Sequence, residues 1–337
     1  MIISRTPFRI SFFGGGTDYP VWFKDYGGAV LATTINKYCY ISCRYLPPFF
    51  DHKYRIAYSL IEHAKGVTDI KHPSVRETLG YIGLQEGVEI HHDADLPARS
   101  GLGSSSSFTV GLLHALYGLK EKMVDKKKLA DDAIYIEQML IKENVGCQDQ
   151  YMAAFGGLNL ILFNGIADIE VKPVIMKAKK TQELLSHLML FFTGFTRTAS
   201  AIAAEQINNI PKKKKELKVM QQMVQEALAI LTSDTDIMEF GKLLHESWLY
   251  KRSLTDRIST ESIDDIYLAA KKAGAIGGKL LGAGGGGFML LFVPPEKKAV
   301  VRQRLSKLLH VPFGFDNSGS YIIFYQPDQL YTSDKTF

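Results

Sequence analysis

One segment constrains the fold of this 337-residue chain more than any other. It is Pro97-Ala-Arg-Ser-Gly-Leu-Gly-Ser-Ser-Ser-Ser107, which runs without a break into the apolar, helix-periodic stretch Phe108 to Leu119. Gly101 and Gly103 let the backbone turn tightly and approach a ligand closely, and four hydroxyls then fall on the first turn of a helix. That turn carries unpaired N–H groups and a partial positive charge, so the pattern predicts an anion site, most naturally for a nucleotide polyphosphate. Serine hydroxyls can also ligate magnesium. The competing reading is a serine-rich helix cap with a flexible lead-in.

A second glycine cluster, Gly277-Gly-Lys-Leu-Leu-Gly-Ala-Gly-Gly-Gly-Gly287, satisfies the dinucleotide-binding pattern at Gly282, Gly284 and Gly287. Its context excludes that use. The pattern needs a helix after it, whereas Phe288 to Val293 reads as a buried strand stopped by Pro294 and Pro295. No G-x-x-x-x-G-K-[ST] segment occurs, and no H-R-D or D-F-G triplet, so any phosphoryl transfer here uses neither the P-loop nor the protein-kinase apparatus.

The length suggests two domains with real cores. A net charge of +5 is mild, and its local excess at Lys126 to Lys128 and Lys212 to Lys215 lies at expected helix starts with no aromatic interleaving, which argues for solvated helix faces and against a nucleic-acid surface. Three cysteines, Cys39, Cys43 and Cys147, form no paired framework, and the N-terminus lacks a secretory apolar core. No apolar run approaches the ~20 residues that span a bilayer. A cytoplasmic protein with no membrane partner is expected.

Strands are expected at Ile2 to Phe13, Gly28 to Ile35, Tyr38 to Leu46, Tyr54 to Ser59, Val88 to Asp93 and Leu158 to Phe163. Helices are expected through Leu119, from Leu129 to Lys142 and from Gln148 to Phe155. The lysine-rich, aperiodic stretch from Pro173 to Glu183 marks the expected domain boundary, dividing residues 1–180 from 181–337. Beyond it come a strand at His187 to Thr193, helices at Ala199 to Asn209, Lys213 to Leu231, Ile237 to Leu254 and Glu261 to Ala273, and strands at Phe288 and Tyr321 with a helix between them. The class is α+β.

Four charged residues stand out. Arg9 and Asp18 bracket a tight glycine loop; a surface ion pair is the plainer account of them. Asp149 sits on the glycine-flanked turn Gly146-Cys-Gln-Asp-Gln150, twelve residues after Glu137; two such acids suit metal and proton work, although acids on helix faces are usually just solvated. His91 and His92 suggest a metal site, but strand alternation sends them to opposite faces.

Together these segments resemble the GHMP kinases, the family of galactokinase, homoserine kinase, mevalonate kinase and phosphomevalonate kinase. Pro7-x-Arg9 through Asp18-Tyr19 resembles the first motif, Pro97 to Ser107 the second, and Lys279 to Phe288 the third. The resemblance covers nearly the whole chain. It implies a two-domain fold, with a ribosomal protein S5 domain 2-like first half, a ferredoxin-like second half and the active site in the cleft between them, and it implies ATP and magnesium as cofactors. By the same resemblance, Asp149 takes or orients the proton of the substrate hydroxyl and Arg9 stabilises charge beside it. Ser105, with Ser104, and Glu137 hold magnesium. Pro97, Gly101, Leu102, Gly103, Ser104, Ser105 and Ser106, with Gly284, Gly285 and Gly286, wrap the nucleotide. Gly15, Gly16, Thr17, Asp18 and Arg197 face the sugar.

Where galactokinases carry glycine, glutamate and histidine before Thr-Asp-Tyr, this chain has Gly14-Gly15-Gly16, which removes a polar contact and makes room for a larger or phosphorylated sugar. The motifs are similar to those of bacterial D-glycero-D-manno-heptose 7-phosphate kinases and of the kinase part of fucokinases. The implied reaction phosphorylates the anomeric hydroxyl of the heptose phosphate to give the 1,7-bisphosphate for nucleotide-activated heptose and surface polysaccharide. Lys53, Arg55 and Arg44 are candidates for the distal phosphate, with solubilising charge as the alternative. A fucose or galactose 1-kinase and a non-catalytic sugar sensor of the same fold are the rival functions. The expected partners are ATP, a sugar phosphate and at most a second copy of the chain.

Overall fold

A computed structural model describes residues 1–194 and 199–327. The fold is built on two sheets. The larger orders its strands as Tyr321–Tyr325, Ile2–Phe13, Gly28–Tyr45, Val88–Ala94, Tyr54–Ala57 and Ile61–Ala64, with Leu158–Gly165, Asp168–Pro173 and Phe315–Asp316 joining through the long strand Gly28–Tyr45. That strand is one element where the sequence suggests two. Its pairing with Ile2–Phe13 slips between Pro7 and Phe8, and Asn36 N donates instead to Gly314 O, so a bulge bends the strand without ending it.

Helix Ser104–Leu119 lies across this sheet and buries twelve of its sixteen residues. An apolar helix covered on all sides belongs in a core, which makes its N-terminus a rigid platform. The expected helix from Leu129 to Lys142 begins earlier, at Lys126, where Asp125 caps Lys128 N at 2.7 Å, and from Tyr135 to Leu140 it widens into a π-helix. Such widenings re-aim side chains, and this one carries Glu137. The aperiodic stretch before Glu183 turns out to enter a helix, Ala178–His187.

The smaller sheet is antiparallel and orders Leu309–His310, Leu188–Gly194, Gly287–Phe292 and Gly277–Leu280. In chain order this is 4-1-3-2, the arrangement of a ferredoxin-like unit. The helices Ala199–Asn209, Lys214–Thr232, Met238–Arg252 and Glu261–Lys272 are inserted after its first strand. The last two strands of the described chain leave this half and hydrogen-bond to the first sheet. Phe240 meets Phe12 and Phe13 edge-on at 5.4 and 5.2 Å, so an aromatic cluster locks the two halves together beneath the cleft. Among the described residues no helix is long and apolar enough to cross a membrane.

Candidate active site

A cavity of about 550 Å³ opens between the halves. The Gly14–Asp18 loop, the 99–105 loop, residues 142–149 and the glycine loop around Gly282 to Gly286 form its walls. The two glycine loops are pressed against each other. Phe288 N donates to Ser100 O at 3.1 Å, a Cβ on Gly101 would stand 2.5 Å from Leu281 O, and one on Gly282 would stand 2.4 Å from the Gly101 Cα. Both residues also have positive φ, 84° and 74°. These glycines are therefore required by backbone packing between the loops as well as by any ligand.

Asp149 occupies the first turn of helix Gln148–Phe155 and is gripped by Arg9 of strand Ile2–Phe13. Arg9 Nε donates to Oδ1 at 2.7 Å and Nη2 to Oδ2 at 2.8 Å, while Nη1 donates to Gly101 O at 2.7 Å. The guanidinium fork thus fixes the carboxylate and the 99–105 loop in one geometry. The Asp149 side chain keeps 24% exposure against 7% for Arg9, so the carboxylate reaches the cavity. Asp18 lies beside it, buried, accepting from Gly16 N and Gln148 Nε2, both at 2.9 Å. Burial, and then the charge of Asp149, raise its pKa.

Ser105 and Glu137 are the residues expected to hold magnesium. Neighbouring helix residues point about 100° apart; Ser105 is exposed and hydrogen-bonds the cavity-lining Glu143, while Ser106 turns inward and donates to Glu137 Oε2 at 2.9 Å. Gln150 Nε2 donates to the same oxygen at 2.5 Å. Glu137 is fully buried and its Oε1 has no hydrogen-bond partner. Burial pushes it up to about 7, against the hydrogen bonds from Thr109, Gln150 and Ser106. A buried carboxylate oxygen without a donor fits a cation or a proton, so Glu137 suits a magnesium ion; of the two serines, Ser105 lines the cavity and Ser106 hydrogen-bonds Glu137. Among the described residues no group of three or more His, Cys, Asp and Glu could hold a metal by itself.

Of the other expected contacts, Gly15, Gly16, Gly101, Gly103, Ser104, Gly284 and Gly286 line the cavity. Thr17, Pro97, Leu102, Ser106 and Gly285 do not. Thr17 Oγ1 donates to Gly14 O and Ala29 O and shapes the loop from inside, Leu102 is a core residue whose carbonyl accepts from Arg9 N, Pro97 O accepts from Ser100 Oγ, and Gly285 N donates to Ile258 O. Arg197 lies outside the described residues. Lys53, Arg44 and Arg55 do not line the cavity either; both arginines, with His91, hydrogen-bond Glu89, which these bonds bring down to about 2 although burial opposes its charge. Lys251, Lys279, Ser11 and Gln148 line the cavity without having been assigned a role from sequence. Lys279 stands in the K-L-x-G segment, but Lys251 lies in an amphipathic helix with nothing local to distinguish it.

Residues 64–157 match the GHMP kinases N terminal domain and residues 223–311 the GHMP kinases C terminal. The chain is 31% identical over 295 residues to the D-glycero-alpha-D-manno-heptose 7-phosphate kinase of Campylobacter jejuni, covering 84% of this chain and 86% of that one. It belongs to the GHMP kinases. This GHMP kinase also shares 28% identity over 243 residues with an L-fucokinase/L-fucose-1-P guanylyltransferase of Bacteroides fragilis, 67% of this chain but 25% of that longer protein. The crystal structure of a D-glycero-D-manno-heptose 1-phosphate kinase from Bacteroides thetaiotaomicron matches with a TM-score of 0.78 at 26% identity, over 98% of this chain and 100% of that one. The protein is an ATP-dependent kinase of the sugar-kinase type.

Proposed function

We propose that this kinase transfers the γ-phosphoryl group of ATP to the anomeric hydroxyl of D-glycero-D-manno-heptose 7-phosphate, giving the 1,7-bisphosphate, in the cytoplasm. The observation that carries the reading is the position of Asp149. Its carboxylate is held by Arg9 between the serine and glycine loops suited to a polyphosphate and the Gly14–Asp18 loop suited to an acceptor. Similarity to the heptose 7-phosphate kinase over most of both chains supports the choice of sugar.

In this reading Asp149 accepts or orients the proton of the anomeric hydroxyl, and Arg9 sets its direction and balances its charge. Asp18, buried at the cavity wall, takes sugar hydroxyls with the acceptor capacity that Gly16 N and Gln148 Nε2 leave free. The backbone of Gly101 to Ser105 and of Gly284 to Gly286 surrounds the phosphates. Magnesium, held by Glu137 with a serine hydroxyl, would neutralise charge on the phosphate oxygens.

Incubation of the protein with ATP and heptose 7-phosphate, followed by phosphorus NMR, checks the reaction. The expected product shows a second phosphoryl resonance coupled to the anomeric proton. Phosphorylation at another hydroxyl, or none, contradicts the assignment.

A further inference from the structure

Besides Arg9, the floor of the cavity contains two buried lysines. Lys251, in helix Met238–Arg252, is 8% exposed, and its Nζ donates to Leu280 O at 2.8 Å and Gly282 O at 2.6 Å. Lys279, in strand Gly277–Leu280, is 3% exposed, and its Nζ donates to Phe12 O at 2.8 Å. Both line the cavity, and among the described residues neither has a carboxylate within ion-pair distance. An ammonium carries three donors, so carbonyls leave one free on Lys251 and two on Lys279. A buried cation held by carbonyls alone is costly unless an anion completes its surroundings.

Position decides which anion. Lys279 is tied to Phe12, from which the chain enters the Gly14–Asp18 loop. Leu254, three residues beyond Lys251, lies 3.9 Å from where a Cβ on Gly16 would stand. Two polar atoms from cavity-lining residues in this region, Ser11 Oγ and Gln148 Oε1, are buried without a partner. The mouth beside the serine loop is lined instead by Arg99 and Lys142. Lys279 thus stands by the acceptor loop, and Lys251 faces the same cavity floor from the Leu280–Gly282 side. The expected distal-phosphate residues Arg44 and Arg55 are already engaged with Glu89 away from the cavity.

We propose that Lys251 and Lys279 bind the phosphate already carried by the acceptor sugar and so select phosphorylated over free sugars. This rests on the reading that the Gly14–Asp18 loop holds a sugar phosphate. Burial first, then neighbouring cations, pull both ammoniums down, Lys279 to about 7 and Lys251 well below its usual range. A phosphate dianion is the partner that restores their charge.

The test is the ratio of kcat/KM for phosphorylated over free sugar in Lys251→Gln and Lys279→Gln, using heptose 7-phosphate, mannose 6-phosphate and their unphosphorylated counterparts at saturating ATP. The ratio is expected to fall at least about ten-fold, through a higher KM for the phosphorylated sugar, because a charge-assisted hydrogen bond to phosphate is lost. A ratio that holds at the wild-type value, or an equal loss of kcat on both sugars, overturns the assignment and leaves the lysines as supports of the glycine loop. A wild-type preference for another phosphorylated sugar would end the heptose reading and leave the lysine site standing. If the variants do not fold, inorganic phosphate serves as the probe on the wild-type enzyme. Inhibition competitive with the sugar phosphate is expected, and its absence overturns the proposal.

Discussion

Both carboxylate oxygens of Asp149 are taken by one guanidinium, with Arg9 Nε 2.7 Å from Oδ1 and Nη2 2.8 Å from Oδ2. The third arm of the same group holds Gly101 O, so this carboxylate and the 99–105 loop share one anchor. Asp149→Asn is therefore expected to lower kcat by about 10²-fold or more while ATP binding, measured by calorimetry, survives. Arg9→Lys replaces a planar fork with a point charge and is expected to lower kcat by roughly ten-fold or more. Near-normal turnover in Asp149→Asn would remove the residue from the chemistry.

The contact between the glycine loops gives a stability prediction. In Gly282→Ala the new methyl group would meet the Gly101 backbone at 2.4 Å, in a backbone of φ 74° that side chains resist. A loss of about 2 kcal/mol or more in denaturant unfolding is expected, with a raised KM for ATP. Unchanged stability would mean that the two loops separate freely.

Glu137 gives a pH dependence with a definite sign. Its pKa is raised from 4.5 to about 7, so across that window the folded protein keeps a proton that the unfolded chain has released. Stability then falls as pH rises through the window, by an amount on the order of 3 kcal/mol, and levels off above it. Glu137→Gln is expected to flatten this part of the Tm profile and to raise the magnesium concentration needed for half-maximal activity. A profile identical to wild type would contradict the burial of an uncompensated carboxylate.

Glu89 behaves oppositely. Its pKa is lowered to about 2, so the stability it contributes is present above 4.5 and lost as pH falls through about 2. Glu89→Gln should lose that acid-side dependence, whereas kcat/KM for the sugar should not change, because its partners Arg44, Arg55 and His91 stand away from the cavity. An altered KM for the phosphorylated sugar would return these arginines to the distal-phosphate site.

What the sequence made legible were features set by local chemistry. Gly101 and Gly103 before an apolar helix that opens on four serines, the strand Ile2–Phe13 and the helix Gln148–Phe155 can all be read from neighbouring residues. The hydrogen bond from Ser106 to Glu137 could not be, because it depends on helical phase and on a π-helix turning Glu137 inward. Arg44 and Arg55 misled because their partner Glu89 lies on another strand, and its alternation and pairing decide where they point. Lys251 was invisible for the same reason in reverse: its acceptors, Leu280 O and Gly282 O, belong to a strand and loop thirty residues away in the chain. The return of Tyr321–Tyr325 to the first sheet is a long-range pairing that periodicity alone does not encode.

The most direct measurement of the central claim is kcat/KM for heptose 7-phosphate set against unphosphorylated heptose, fucose and galactose under saturating ATP and magnesium. A preference of roughly 10²-fold or more for the phosphorylated sugar is expected, since two basic contacts at ~1.5–3 kcal/mol each separate it from the free sugars. A clear preference for any unphosphorylated sugar would contradict the account of the acceptor site and leave a sugar kinase with another substrate.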